Sequence, residues 1–310
     1  MFRRIKKRWQ YIGKIMENIL EVKNLKKNFG SKEVLKDITF SIKPGEIVGF
    51  IGPNGCGKTT TFKIITGLLK KNGGSIMVNG IDASKHINKA LASMSAIIEG
   101  PSLYLDMSGL ANLKMQGKLR GASNEEIQEM VDFLNFDKSI NKKVKTYSLG
   151  MKQKLQLCIC LLAKPKLLLL DEPTNGLDPT GSLAFRKQVK DMAEKKGISV
   201  LISSHLLHEL QETCDRFLFV KDGRIIERDV KQAFITYIVE THNGSNLVKK
   251  LTETDKFESV SLDTDRVVVS FTSRDILNDL LKAITDSGVA VNKIYEQTEN
   301  IESQYQEMYL

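Results

Sequence analysis

Two kinds of strand pattern occupy the first two thirds of the chain. Alternating apolar and polar residues are typical of half-buried antiparallel strands, and they occur over residues 17–28 and 34–42. Mainly apolar runs are typical of strands that a parallel sheet buries on both faces, and they occur over residues 46–51, 166–170 and 198–205. These patterns together predict an α/β domain with a mixed sheet.

Helical spacing and one hairpin complete this region. Residues 82–147 have mainly helical spacing, and within them the apolar residues of 124–134 fall on one helix face. Residues 217–227 predict a hairpin, because two apolar runs flank Asp222-Gly223, a favoured two-residue turn.

The pattern changes near residue 229, where strands and helices begin to alternate at shorter intervals. Four strands are predicted, at 234–240, 257–261, 266–272 and 289–295, with helices at 246–253 and 274–286. This βαββαβ order is that of ferredoxin-like domains. We therefore expect three parts: a basic N-terminal extension over 1–16, a catalytic domain over 17–228, and a small α+β accessory domain over 229–310.

The first chemical motif lies between an apolar run and a helix-like run. Residues 52–59 read Gly-Pro-Asn-Gly-Cys-Gly-Lys-Thr, which fits the phosphate-binding P-loop pattern G-x-x-x-x-G-K-[ST] in its required strand–loop–helix setting. Backbone N–H groups and the N-terminus of the helix attract phosphate oxygens. Lys58 is expected to reach the β- and γ-phosphates, and Thr59 to bind Mg²⁺. The predicted nucleotide contacts in this loop are Gly52, Pro53, Asn54, Gly55, Cys56, Gly57, Lys58, Thr59 and Thr60.

A second motif supplies two carboxylates. Asp171 and Glu172 directly follow four leucines at the end of a predicted buried strand. In a P-loop protein the first carboxylate reaches Mg²⁺, and the second accepts a proton from the attacking water. Asp171 is therefore a predicted metal ligand and Glu172 a predicted catalytic base.

The distribution of charge and the length of the apolar runs limit the classes of function that the chain can have. The net charge of +9 is concentrated in residues 1–15, which hold six basic and no acidic residues, so the remainder carries an ordinary +3 and nucleic acid is not an expected partner. The basic head is either a membrane-surface helix or an unstructured extension, with Met16 as an alternative start. No apolar run reaches the length of a membrane span, and no signal peptide is recognised.

The four cysteines give no metal-binding spacing. Cys158 and Cys160 are expected in the core, and nothing indicates disulfides, which fits a reducing cytoplasm. Cys56 lies at a helix N-terminus, so we expect its thiol to have a lowered pKa and to react with maleimide unless nucleotide covers it.

The remaining motifs carry a family resemblance. Residues 147–153, Tyr-Ser-Leu-Gly-Met-Lys-Gln, resemble the Leu-Ser-Gly-Gly-Gln signature of the ATP-binding-cassette (ABC) family. The resemblance covers residues 19–228 and implies a P-loop NTPase nucleotide-binding domain with a mixed sheet and a helical subdomain. It assigns further roles to matching residues: γ-phosphate contact in a partner subunit to Ser148 and Gly150, the D-loop to Asp178, the catalytic switch histidine to His205, and adenine stacking to Phe29. A core position is the alternative for Phe29.

Two departures from the family pattern point to a subgroup. Leu149 stands where the signature usually has Gly, and Glu99 stands where a neighbouring loop usually has the Gln that binds Mg²⁺. Both features resemble the bacitracin and lantibiotic immunity ATPases, as does the C-terminal extension. Glu99 is accordingly a candidate Mg²⁺ ligand. The alternative is that Glu replaced Gln by neutral drift, with no meaning for the substrate.

The resemblance implies an ATPase that couples ATP-driven dimer closure to transport by a separate polytopic membrane subunit. ATP and Mg²⁺ are the expected cofactors, with Lys58, Glu172 and His205 as catalytic residues. The chain would sit on the cytoplasmic face of the membrane, dimerise with another ATPase subunit, and contact the membrane subunit through residues 99–113. The alternatives are a non-transport ABC ATPase that is regulatory or associated with nucleic acid or ribosomes, and a nucleotide-binding regulator without activity.

Overall fold

The computed structural model describes residues 18–133, 136, 138–205, 210–228, 235–254, 256–271 and 276–297. The predicted basic extension over 1–16 lies outside them. Backbone contacts divide the chain into two compact units, residues 1–228 and 229–310. Among the described residues no helix combines the length and the apolar character that crossing a membrane requires.

The first unit is built on a ten-stranded sheet with the order β5-β4-β1-β2-β10-β9-β3-β8-β7-β6. Its strands are β1 Leu20–Phe29, β2 Lys32–Ile42, β3 Ile47–Ile51, β4 Gly73–Val78, β5 Ile81–Asp82, β6 Met94–Ile97, β7 Leu167–Leu170, β8 Ser199–Ser204, β9 Arg216–Lys221 and β10 Arg224–Arg228.

Six α-helices are described in the same unit: α1 Lys58–Ile65, α2 Ile87–Leu91, α3 Gly109–Leu119, α4 Asn124–Phe133, α5 Leu149–Leu161 and α6 Pro179–Lys196. Two short 3₁₀ helices, Lys138–Asn141 and Val144–Thr146, precede α5. The predicted helix over 124–134 is confirmed as α4, which buries Ile127, Met130 and Val131.

The parallel part of the sheet positions the chemistry. Strands β6, β7, β8, β3 and β9 run parallel as neighbours, and every residue of β3, β7 and β8 is buried. This confirms the interpretation of the apolar runs. Because parallel strands end at the same edge, the loops that follow β3, β7 and β8 meet there.

The antiparallel part extends the sheet on the side of β2. β1 pairs with both β2 and β4, and Phe40, Phe50 and Phe62 form a chain of ring contacts with centroids 5.7 and 5.9 Å apart. The Asp222-Gly223 hairpin is confirmed: both residues have positive φ, 51° and 72°, as a type I′ turn requires.

The expectation of mainly helical structure over 82–147 missed one strand, β6. This four-residue strand is the edge of the parallel array, so only Met94 and Ile97 are buried. A short, half-polar segment gives too little periodicity to be distinguished from the adjoining helix. Its position matters, because Glu99 lies two residues beyond it.

The second unit contains a four-stranded antiparallel sheet and two helices. The elements are β11 Ile235–Glu240, α7 Gly244–Thr252, β12 Ser259–Asp263, β13 Arg266–Phe271, α8 Leu277–Ser287 and β14 Lys293–Gln297. The sheet order is β12-β13-β11-β14 with every neighbouring pair antiparallel. Its core includes Val239, Leu247 and Phe271. The βαββαβ order with this strand arrangement is that of the ferredoxin-like fold.

Candidate functional site

The P-loop joins β3 to α1 in a conformation that requires glycine. Gly57 has φ +112°, and a Cβ on it would lie 2.4 Å from Leu35 Cδ2. A Cβ on Gly52 would lie 2.7 Å from Cys56 Sγ. Side chains at these positions would therefore displace the loop. The backbone is left free to approach an anion at the N-terminus of α1.

Lys58 is turned inward at the start of α1 and is only 4 % exposed. Its Nζ donates to the carbonyl oxygens of Gly52 and Pro53, at 2.6 and 3.2 Å. The same atom lies 3.2 Å from Glu172 Oε1. A buried charge requires such partners, so the lysine is held in the loop where phosphate groups are expected.

Asp171 connects the P-loop helix to β8. Its Oδ2 accepts a 2.7 Å hydrogen bond from Thr59 Oγ1, and its Oδ1 accepts one of the same length from Ser203 Oγ. The backbone N–H of Asp171 donates to Ile97 O at the end of β6. The hydroxyl of Thr59 and the carboxylate of Asp171 therefore lie in contact, although 112 residues separate them in sequence.

This oxygen pair fits magnesium. Mg²⁺ keeps several water ligands and takes one or two protein oxygens plus substrate phosphates. The described residues contain no cluster of three or more His, Cys, Asp or Glu that could hold an ion.

Glu172 is fixed at three points. Its backbone N–H donates to Ser203 Oγ at 2.9 Å, its Oε1 faces Lys58, and its Oε2 lies 3.0 Å from His205 Nδ1. Its backbone has φ +44°, a left-handed conformation that is unusual for glutamate. The structure thus brings together all three predicted catalytic residues, Lys58, Glu172 and His205.

No role was predicted for Ser203, yet its hydroxyl contacts both carboxylate residues. It donates to Asp171 and accepts from the backbone of Glu172, and the side chain is fully buried. Its position at the end of a predicted parallel strand was the available signal, since residues there face the same edge as Asp171.

We predict that Ser203→Ala lowers the rate of ATP hydrolysis about 30-fold, because losing one hydrogen bond of this kind costs about 1 kcal/mol and two are lost. Steady-state phosphate release measures the rate, and nucleotide binding serves as the second readout. A positioning role predicts lower kcat with little change in KM. Ser203→Thr retains the hydroxyl and should recover part of the rate, whereas equal activity of Ser203→Ala and wild type would contradict the role.

Phe29 ends β1 and is 48 % exposed, so the alternative of a core position is wrong. The Lys27 ammonium lies over the Phe29 ring, 4.9 Å from its centroid. An exposed ring beside a cation can stack on a nucleotide base.

Ser148 and Asp178 each begin a helix. Ser148 Oγ accepts from Met151 N at 3.3 Å as the N-cap of α5, and Asp178 Oδ1 accepts from Gly181 N at 3.3 Å as the N-cap of α6. Leu149 packs against the loop that precedes α6, since a Cβ on Gly176 in that loop would lie 3.1 Å from Leu149 Cδ2. The capping residue of α5 is exposed, which leaves this helix N-terminus accessible to an anion from outside the protomer.

Glu99 is not joined to Thr59 and Asp171 by any contact that the structure shows. Its Oε1 instead lies 2.6 Å from Lys63 Nζ, on the same helix as Thr59. Glu99 is 64 % exposed and has φ +58°. The sequence assigned no role to Lys63, because nothing local indicates a partner 36 residues away.

The expectation of a lowered pKa for Cys56 was wrong. Burial raises the pKa of the Cys56 thiol, and the nearby Lys58 ammonium only partly opposes this effect. The Lys58 ammonium already contacts Gly52 O, Pro53 O and the Glu172 carboxylate. Burial disfavours the charged thiolate form of Cys56. Cys158 and Cys160 are core residues as predicted, and burial raises the pKa of each to about 12.

We therefore predict that maleimide modifies Cys56 more slowly at pH 7 than it modifies a free cysteine, and faster as the pH rises, because the thiolate is the reactive form. Saturating nucleotide should protect the thiol. Mass spectrometry of time courses measures the rate, and the buried Cys158 and Cys160 provide unreactive internal controls. Labelling at pH 7 at the rate of N-acetylcysteine would contradict the raised pKa.

A groove of about 370 Å³ opens beside β6. Among its lining residues are Thr66, Leu68, Leu91, Ile97, Gly100 and Gln156. Leu68 is 71 % exposed, and Tyr104 and Leu105, in the segment that follows the groove, are 53 % and 49 % exposed. An apolar groove with exposed apolar side chains in and after its lining segment is a candidate protein interface.

Comparison with known proteins gives consistent results. A family profile described as "ABC transporter" matches residues 35–175. An ABC transporter ATP-binding protein of Bacillus subtilis, YhcH, is 35 % identical over 94 % of this chain and 96 % of its own length. The lantibiotic transport ATP-binding protein SrtF of Streptococcus pyogenes is 38 % identical over 67 % of this chain and 89 % of its length. The bacitracin transport ATP-binding protein BcrA of Bacillus licheniformis is 35 % identical over 68 % of this chain and 70 % of its own length.

Among solved structures, the ATP-binding subunit of an ABC transporter superposes with a TM-score of 0.60 at 31 % identity, over 67 % of this chain and 88 % of that one. The predicted fold class is thereby confirmed.

Proposed function

Since this chain belongs to the ABC transporter family, whose ATP-binding subunits bind and hydrolyse ATP, we propose that it powers removal of an antimicrobial peptide through a separate membrane subunit. The non-transport alternative is not favoured, because relatives matching most of the chain are transporter subunits. The observation that carries the proposal is the cluster of Lys58, Glu172 and His205 beside Thr59 and Asp171.

Nucleotide binding is assigned to the P-loop. The phosphates lie against the N-terminus of α1, where backbone N–H groups and the helix dipole favour negative charge. Phe29 stacks on the adenine. Thr59 and Asp171 would hold Mg²⁺, and a bound Mg²⁺ would supply positive charge to the phosphate oxygens. Lys58 leaves its carbonyl partners for the β- and γ-phosphates.

Departure of Lys58 has a consequence for Glu172. Before nucleotide binds, the Lys58 ammonium occupies Glu172 Oε1 at 3.2 Å. Once phosphates attract the lysine, that oxygen becomes available to a water molecule. Glu172 then accepts the proton of the attacking water, and His205, which contacts the other carboxylate oxygen at 3.0 Å, fixes its orientation.

A second subunit completes the site. We assign Ser148 and Gly150 of one protomer to the γ-phosphate bound by the P-loop of its partner, with Asp178 close to the same interface. The exposed N-terminus of α5 supports this assignment, because it presents N–H donors that the protomer's own P-loop does not engage. ATP then stabilises the closed dimer by binding it more tightly than the open one.

The membrane subunit is assigned to the groove beside β6, with residues 99–113 as part of its docking surface. The exposed apolar residues there fit a short amphipathic helix of the partner. In this proposal the chain sits on the cytoplasmic face of the membrane. The lantibiotic and bacitracin transport relatives, together with Glu99 and Leu149, support a peptide antibiotic as cargo.

The experiment is a resistance assay with purification. The chain and a candidate polytopic subunit from a neighbouring reading frame are expressed together in a sensitive host. Co-purification and increased resistance to bacitracin or a lantibiotic are expected. The resistance should disappear with Glu172→Gln while co-purification persists. Co-purification without resistance to any peptide antibiotic would contradict the proposed cargo. Absence of both co-purification and resistance would contradict the proposed transport role of this pair.

A further inference from the structure

The ion pair between Lys63 and Glu99 has no place in the proposed reaction. Its 2.6 Å contact joins α1, the helix that begins at the P-loop, to the turn that follows β6. Both residues are near the proposed magnesium site, and neither touches another charged residue in the contacts that the structure shows.

Helix geometry places Lys63 beside the metal-binding hydroxyl. Thr59 and Lys63 are four residues apart on α1, so they lie on the same helix face with Cβ atoms roughly 5–6 Å apart. Glu99, paired with Lys63, is consequently tied to the helix face that carries Thr59.

Strand geometry connects Glu99 to Asp171 as well. Ile97 and Leu170 are register partners in the parallel pair β6–β7, and Asp171 N donates to Ile97 O at 2.9 Å. Glu99 follows Ile97 by two residues. Glu99 is thus linked to both elements that carry the Thr59–Asp171 pair, while its carboxylate is turned to Lys63.

A carboxylate whose Oε1 lies 2.6 Å from an ammonium is held towards that ammonium, and the ion pair competes with a metal ion for it. Mg²⁺ takes hard oxygen ligands, and Glu99 is a carboxylate that neither Ser203 nor Lys58 engages in the described structure. Its exposed position, 64 %, permits reorientation at small cost.

We propose that Lys63 withholds Glu99 from the magnesium ion of bound ATP, and that opening of this ion pair is part of binding Mg·ATP. Lys63 is a positioning residue that acts through Glu99. It raises the Mg²⁺ concentration that tight nucleotide binding requires. This inference rests on the proposed Mg·ATP site.

The test uses the purified full chain and a non-hydrolysable fluorescent ATP analogue, titrated with MgCl₂ at fixed nucleotide. Lys63→Met frees Glu99, so the half-saturating Mg²⁺ concentration should fall about two- to fivefold, the range expected when an exposed ion pair no longer competes. Lys63→Gln should behave in the same way. Lys63→Arg, which retains the ion pair, should resemble wild type.

Two controls separate the proposal from a general charge effect. Lys114→Met removes the same charge from an exposed position on α3 and should leave the Mg²⁺ dependence unchanged. In a Glu99→Gln background, Lys63→Met should also have no effect. An unchanged Mg²⁺ dependence in Lys63→Met, or an equal shift in both backgrounds, would overturn the proposal. Absence of Mg²⁺-dependent binding in wild type would instead overturn the proposed ATP site.

Discussion

Replacing Glu172 with Gln is expected to lower ATP turnover at least about 100-fold, because general-base catalysis contributes roughly 10²–10⁴-fold. Glutamine has the same shape and can still contact Lys58 and His205, but it does not accept the proton of the attacking water. Nucleotide binding should persist, so ATP should accumulate in a stable dimer. Phosphate release and size-exclusion chromatography with ATP measure the two effects.

The matched control is Glu194→Gln, the same chemical change at an exposed position of α6. It should preserve turnover and show no ATP-stabilised dimer beyond that of wild type. Turnover of Glu172→Gln within a few-fold of wild type would exclude the assignment of the base.

Replacing Lys58 with Met is expected to weaken ATP binding about 10- to 100-fold, because hydrogen bonds to a charged group contribute about 1.5–3 kcal/mol. The substitution also removes the donor that Gly52 O and Pro53 O share and the charge opposite Glu172. Fluorescent-nucleotide titration measures the affinity, and thermal unfolding shows whether the fold persists.

Lys58→Arg distinguishes charge from fit. The guanidinium retains the charge, but it is larger and planar, and the pocket leaves Lys58 only 4 % exposed. We expect it not to restore affinity. Recovery of wild-type binding by Arg would show that charge alone suffices and would contradict the tight fit of the ammonium.

Local sequence patterns predicted the features that local chemistry determines. The P-loop requires glycine at Gly57 for steric reasons, and four consecutive leucines are typical of a strand covered on both faces. The ends of parallel strands then bring Asp171 and His205 towards the P-loop without further information. The ABC signature added the assignments of Ser148 and Asp178, whose roles in a dimer remain proposals.

The features that were missed depend on contacts between distant segments. Ser203 holds Asp171 and Glu172 only because β7 and β8 are adjacent, which no local pattern reveals. The ion pair of Lys63 and Glu99 likewise requires β6, a strand too short and too polar to predict. The pKa of Cys56 depends on burial, which outweighs the helix N-terminus considered from sequence.

The left-handed backbone of Glu172, with φ +44°, carries an evolutionary consequence. A non-glycine residue in this region stores about 1 kcal/mol or more of strain, and glycine would relieve it. Relief of this strain would favour Gly at position 172, whereas the contacts of the carboxylate with the buried Lys58 and with His205 oppose that change. Selection for turnover adds to these contacts, so a cassette that has lost hydrolysis keeps less reason to retain a strained residue here than one still under selection as an enzyme.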